Sequence, residues 1–134
     1  MNAAAIDTDV VSITLKGSSL APFYQGILQG RLLAISFMTL AELERWALER
    51  NWGLARKADL WLHLHHYTVI PSTRELCAVW AEVTWRAKEK GKPIQTADAW
   101  IAATALLYRV PLATNNRSDF EAVDGVQLLS AQAP

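Results

Sequence analysis

Residues 96–107, Thr96-Ala97-Asp98-Ala99-Trp100-Ile101-Ala102-Ala103-Thr104-Ala105-Leu106-Leu107, decide how this chain folds. They follow the breaker Gly91-Lys92-Pro93 and read as a helix beginning at Thr96. From Ala99 to Leu107 the helix is apolar nearly all round and rich in small alanines. A helix on a surface keeps a polar face, so this one belongs in the middle of a layered domain.

Outward from that helix, short apolar runs alternate with helical patterns. Residues 3–6 read as a buried strand ending abruptly in Asp7. Thr8 or Asp9 is placed to cap a short helix over 10–15, closed by Gly17. A second helix is expected over 20–29 and a strand over 32–36. Thr39 is the expected start of the next helix, with Leu40, Leu43 and Ala47 at helical spacing and Glu42 as capping-box partner. A helix over 54–65, a strand over 68–70 stopped by Pro71, and an amphipathic helix over 73–90 follow. Leu76, Trp80, Val83 and Ala87 share one face of that last helix. Residues 112–114 and 125–129 read as two further strands. About five short strands separated by helices imply an α/β/α sandwich with a mainly parallel central sheet. With no repeat, linker or low-complexity tract, residues 1–134 are expected to form a single domain.

The chain has 134 residues, 51% of them hydrophobic and 19% charged, which suits one cored domain and excludes wholesale disorder. Cys77 has no partner for a disulfide and is expected to be buried beside Leu76, Val79 and Trp80. No apolar run approaches the roughly 18 residues of a membrane span. The first residues lack a basic segment and an apolar core, so a cytoplasmic protein is expected. Thirteen basic and thirteen acidic residues give a formal net charge of zero. Neutrality counts mildly against a nucleic-acid ligand. It counts less if several acids gather around cations, which then add positive charge.

The acids are arranged for such a site. Asp7 directly follows the first strand, Glu42 lies early in the helix after the second, Asp98 opens the buried helix, and Asp119 follows the strand over 112–114. In a parallel sheet the loops after the strands share one edge, so four carboxylates can converge there. Their repulsion is relieved only by protons or cations. Oxygen-only donors suit Mg²⁺ or Mn²⁺, and metals held this way support phosphodiester hydrolysis.

At these residues the chain resembles a known family. Asp7-Thr8-Asp9-Val10-Val11 is similar to the opening strand and turn of PIN domains. Ser36-Phe37-Met38-Thr39-Leu40-Ala41-Glu42-Leu43 resembles their second motif. Gly91-Lys92-Pro93-Ile94 with Asp98-Ala99-Trp100-Ile101-Ala102-Ala103 resembles the third, and Leu112-Ala113-Thr114-Asn115-Asn116 with Asp119-Phe120 the fourth. The matches run in order over nearly the whole chain and resemble the VapC toxins of type II toxin–antitoxin systems.

The resemblance implies a PIN-like domain acting as a Mg²⁺- or Mn²⁺-dependent endoribonuclease, with an RNA substrate and a cognate VapB-like antitoxin. It also implies a homodimer. The implied catalytic acids are Asp7, Glu42, Asp98 and Asp119, with Asp7 and Asp98 as metal ligands alongside Glu42 and Asp119. Thr114, Asn116 and Asp9 are implied supports, Thr114 and Asn116 toward a metal-bound water or the scissile phosphate. Many relatives have Asn where this chain has Asp9. Some carry an acid at the place of Asn116, so either Asn116 or Asp119 stands nearer the metal.

Each acid alone has a plainer reading: Asp7 as a turn residue, Asp98 as a charge at a helix start, Glu42 as a capping-box partner. It is their joint order that argues for a site. His63, His65 and His66 lack partners for a zinc site and suit a helix C-terminus. Trp80 and Trp100 are expected to pack in the core; Trp46, Trp52, Trp61 and Trp85 fit either core or a partner surface. Two alternatives remain. Asp7-Thr8-Asp9-Val10 also fits a haloacid-dehalogenase-type phosphatase, with Asp7 as nucleophile and Asp9 as general acid. A PIN-fold module that binds RNA or protein without cutting is the non-enzymatic reading.

Overall fold

The computed structural model describes residues 2–134. Its elements run β1 (Ala3–Ile6), α1 (Thr8–Lys16), α2 (Ala21–Leu28), β2 (Leu32–Ser36), α3 (Phe37–Glu49), α4 (Leu54–Leu64), β3 (Tyr67–Ile70), α5 (Arg74–Glu89), α6 (Thr96–Tyr108), β4 (Leu112–Ala113), a 3-10 turn (Arg117–Phe120) and β5 (Leu128–Leu129). The five strands form one sheet in the order β3-β2-β1-β4-β5, every pair parallel. The α/β/α sandwich with a parallel sheet expected from the sequence is therefore present.

Strand alternation divides the core. Ala4 and Ile6 face a cluster with Val10, Val11, Tyr24, Leu28, Ile35, Leu43 and Leu60. Ala5 faces the other way, toward Val83, Ala99, Ile101, Ala102, Ala105, Leu112 and Phe120. This period of two is what a sheet covered on both faces requires. Helix α6 buries Ala99 and every residue from Ile101 to Ala105, as its composition predicts.

The strand order also positions the site. From β1 the chain builds outward to β2 and β3 on one side, then returns to place β4 and β5 on the other. The order reverses between β1 and β4, and the loops leaving their carboxyl ends diverge there. Open parallel sheets bind ligands at such a switch point. Asp7 and Thr114 are the first residues past these two strands, and the Asp7 N–H donates to the Ala113 carbonyl at 2.9 Å.

Several local expectations are corrected. Asp7 itself caps α1, in place of Thr8 or Asp9, accepting from the Thr8 N–H at 2.7 Å. Helix α3 begins at Phe37, two residues before Thr39: Ser36 is the cap, its hydroxyl accepting from the Met38 N–H at 3.0 Å. The expected Thr39–Glu42 capping box is not formed, because both side chains turn toward α1. Cys77 is exposed, since the buried face of α5 runs through Leu76, Val83 and Ala87 and leaves Cys77 a quarter-turn away. Trp80 and Trp100 are only partly buried; they stack on each other with centroids 5.1 Å apart, beside Phe37. Trp52 is buried, while Trp61 and Trp85 are exposed. No helix among the described residues is long and apolar enough to cross a membrane.

Candidate active site

Asp7 is held on both carboxylate oxygens. Oδ1 accepts from the Thr8 N–H, and Oδ2 accepts from the Thr114 hydroxyl at 2.8 Å. Only 6% of Asp7 is exposed and Thr114 is fully buried. The Thr114 oxygen in turn accepts from the Asn116 N–H at 3.0 Å. Asp9 lies beside this turn. Its Oδ2 accepts from the Asn115 N–H at 3.0 Å and from Asn116 Nδ2 at 3.1 Å. Its Oδ1 is buried with no hydrogen-bond partner among the described residues. The turn after β4 thus clamps both aspartates of the turn after β1, across more than 100 residues of chain.

Glu42 approaches from α3. The Thr8 hydroxyl donates to its Oε1 at 2.7 Å and lies 3.0 Å from the Thr39 hydroxyl. Asp98 sits half-buried in the first turn of α6, and Asp119 is exposed on the 3-10 turn, its N–H donating to the Asn116 carbonyl at 3.0 Å.

Electrostatics link all five acids. Burial, then the Asp9 charge, pushes the Asp7 carboxyl up to about 8, against the hydrogen bonds from Thr114 and Thr8. Burial, then the charges of Asp119, Glu42 and Asp9, raises Asp98 to about 6. Asp9 is also raised, chiefly by burial, while the Asn115 N–H opposes the rise. The ion pairs among the described residues, Arg45–Glu49, Arg86–Glu82 and Lys90–Asp124, include none of these acids. Protonation or an added cation is left to offset the repulsion.

The residues fit a hard divalent cation. The donors are carboxylates, two of them hold protons far above the ordinary range, and a buried Asp9 oxygen lacks a partner. Among the described residues, no three acidic, His or Cys side chains already stand close enough together to form a closed ligand set. The acids instead sense one another across a gap, as like charges do.

The sequence-predicted residues Asp7, Glu42, Asp98 and Asp119 are thus brought to one edge. The Thr114 hydroxyl is buried and donates to Asp7, which takes it away from a phosphate; the exposed Asn116 amide spends one N–H on Asp9 and keeps its second N–H and its oxygen. Thr8, Thr39, Asn115 and Tyr24 were not singled out by sequence as site residues. The polar alternation Asp7-Thr8-Asp9 was the available signal for Thr8; Tyr24 carries none. The histidines lie elsewhere. His63 Nε2 is 3.0 Å from the Thr14 hydroxyl and 3.1 Å from the Tyr67 hydroxyl, at the amino end of β3. Burial, then the nearby His66, lowers its pKa.

The PIN domain family matches residues 4–126 of the chain. Ribonuclease VapC1 of Haemophilus influenzae (strain R2866) is 26% identical over 125 residues, covering 91% of this chain and 92% of that protein. The fold is similar to that of VapBC2 from Rickettsia felis, solved bound to a DNA fragment from its promoter, with a TM-score of 0.84 at 21% identity over 95% of this chain and 97% of that one. It is also similar to FitAcB from Neisseria gonorrhoeae, with a TM-score of 0.74 at 28% identity over 94% of this chain and 96% of that one. With the family matched along nearly its whole length and the four acids at the carboxyl edge of the sheet, the chain belongs to the PIN domain family.

Proposed function

We propose that the chain is a divalent-metal-dependent endoribonuclease and the toxin of a type II toxin–antitoxin pair, working in the cytoplasm. The observation that carries this reading is the electrostatic linkage of Asp7, Asp9, Glu42, Asp98 and Asp119 at the switch point, with Asp7 and Asp98 raised and, among the described residues, no cationic group paired to any of them.

Asp7 and Asp98, with Glu42 and Asp119, would hold Mg²⁺ or Mn²⁺. When bound, such a cation lowers the pKa of a coordinated water and stabilises charge on a phosphate in displacement. The protein's own part is orientation. Thr8 and Thr114 fix the Asp7 carboxylate on both oxygens, and Thr8 also holds Glu42, so one threonine ties two acids from different elements. Asn115 and Asn116 fix one oxygen of Asp9 and leave the other free. Asp119 is exposed on the 3-10 turn, the side from which an RNA phosphodiester would approach the acids.

The solved relatives named VapBC and FitAB are complexes, several of them bound to DNA. A VapB-like antitoxin is the matching partner here. A cationic segment of that partner, above all an arginine, suits the acid cluster because a guanidinium fork matches carboxylates. The phosphatase alternative is not favoured: the family matched over residues 4–126 is the PIN domain. A non-catalytic binding module would not need the acids, and all four are present.

Cleavage of a single-stranded RNA with Mg²⁺, with Mn²⁺ and with chelator tests the reading. Asp7→Asn and Asp98→Asn should each lower the metal-dependent rate by roughly 100-fold or more, the scale of losing a main electrostatic group. Expression alone should arrest bacterial growth, and co-expression of the cognate partner should relieve it. Cleavage that ignores chelator, or wild-type rates in either variant, would overturn the assignment.

A further inference from the structure

Tyr24 on α2 has no sequence signature, yet its phenol is the hub of the turn that holds the acids. The side chain is fully buried, its ring edge-on to Phe23 at 5.1 Å. The hydroxyl donates to Asn115 Oδ1 at 2.7 Å, lies 3.2 Å from the Thr114 carbonyl, and accepts from the Ala131 N–H at 3.1 Å. It therefore joins α2, the turn after β4 and the segment after β5 at one atom.

The two residues it grips are the two that orient the buried aspartates. The Asn115 N–H lies on Asp9 Oδ2 and the Thr114 hydroxyl on Asp7 Oδ2. The phenol touches neither carboxylate. It acts by fixing the Asn115 side chain and the Thr114 carbonyl, and so the direction in which the next donors point. Other supports of this turn are the Thr114 N–H on the Leu129 carbonyl and the Asp119 N–H on the Asn116 carbonyl, both at 3.0 Å, the Asn116 N–H on the Thr114 hydroxyl oxygen, and Asn116 Nδ2 on Asp9. These flank Asn115 without holding its side chain.

We propose that Tyr24 is a positioning residue of the acid site: through Thr114 and Asn115 its hydroxyl sets how Asp7 presents its oxygens to a divalent cation and how Asp9 is held beside it. The inference rests on the metal-dependent reading above. Groups one bond removed from metal ligands commonly change metal affinity by about 10-fold or more when lost. Tyr24→Phe keeps the ring and removes the hydroxyl alone.

The test is calorimetric titration of Mn²⁺ into the full chain, beside Mn²⁺-dependent cleavage rates. Tyr24→Phe should weaken Mn²⁺ binding about 10-fold, lower the rate at limiting Mn²⁺, recover it at high Mn²⁺, and leave KM for RNA unchanged. Asn115→Ala should do the same, and the double variant should be no worse than either, because both break one path. Asn115 is only half-buried, so this second variant reads the same path if Tyr24→Phe melts below the assay temperature. A purely structural phenol would lower the melting temperature in chelator and leave Mn²⁺ affinity at wild type. That result, or additive losses in the double variant, would overturn the proposal. Wild type that binds no Mn²⁺ would overturn the metal site itself, and this inference with it; wild type that binds normally beside an unaffected Tyr24→Phe would overturn this inference alone.

Discussion

Replacing Asp98 by Asn removes one charge from a crowd of acids while keeping the size and shape of the side chain. The Asp98 carboxyl holds its proton to about 6 in the fold, against an ordinary value of 3.8, through burial and the charges of Asp119, Glu42 and Asp9. At about 1.36 kcal/mol per pH unit the difference corresponds to about 3 kcal/mol. Asp98 is only half-buried, so solvent screening reduces this to about 1–2 kcal/mol. A carboxylate in the first turn of α6 also gains about 0.3–1 kcal/mol from the helix dipole, which Asn forfeits. The net expectation is a metal-free variant more stable than wild type by about 1 kcal/mol at pH 7.5, or about 3–4 °C for a domain of this size. The pH dependence has a definite sign. Below pH 4 the carboxyl is protonated folded and unfolded, and the variant gains nothing. As pH rises from about 4 to 6 the unfolded chain releases this proton before the fold does, so wild type loses stability. Above about 6 the gap between the two proteins is constant. Thermal melts in chelator from pH 3.5 to 8 read this directly. Added Mn²⁺ should then raise wild type more than the variant. A variant that melts below wild type at pH 7.5 in chelator, with a gap that does not change between pH 4 and 6, would show that Asp98 is only a helix-start charge.

Two further outcomes follow from the hydrogen bonds around the site. Asp9→Asn keeps an oxygen for the Asn115 N–H and should slow single-turnover RNA cleavage by roughly 10-fold, far less than Asp7→Asn; equal losses would make Asp9 a metal ligand in its own right. Thr114→Val keeps the volume of a fully buried side chain but removes the donor to Asp7 and the acceptor of the Asn116 N–H. It should cost about 1–3 kcal/mol in urea unfolding. Because the Thr114 hydroxyl lowers the Asp7 pKa, its loss should also move the acidic limb of the pH–rate profile to higher pH; an unmoved limb would mean Asp7 ionisation does not govern the rate.

The sequence made the layers legible because composition and periodicity respond to burial. An alanine-rich helix without a polar face has few places to go, and α6 lies where it must. The four acids were legible for a similar reason: each lies on the turn or helix that follows a strand or opens the buried helix, and a parallel sheet gathers these at one edge. What escaped was decided by partners distant in sequence. Thr39 and Glu42 satisfy a local capping pattern, yet β2 stays paired with β3 through Ser36, so the helix opens there and frees both side chains for Thr8. Thr114 and Asn116 look like free polar groups in a loop until Asp7 and Asp9 arrive. Tyr24 looks like one more core aromatic, because nothing nearby in the chain announces the use of its hydroxyl.

The same reversal of strand order that creates the site also sets when it can exist. The bond from Thr114 to Asp7 spans 107 residues, and β1, near the start of the chain, gains its second neighbour only when β4 appears. Contacts of such separation form late, because the entropy of closing a long loop is lost before they can reward it. On the ribosome, where chains grow at about 5–20 residues per second and fold as they emerge, a nascent chain ending near residue 110 already carries Asp7, Glu42 and Asp98. It has no Thr114 to aim Asp7 and no Asn115 to hold Asp9. The acid site is therefore complete only once β4 and the turn after it are available to β1.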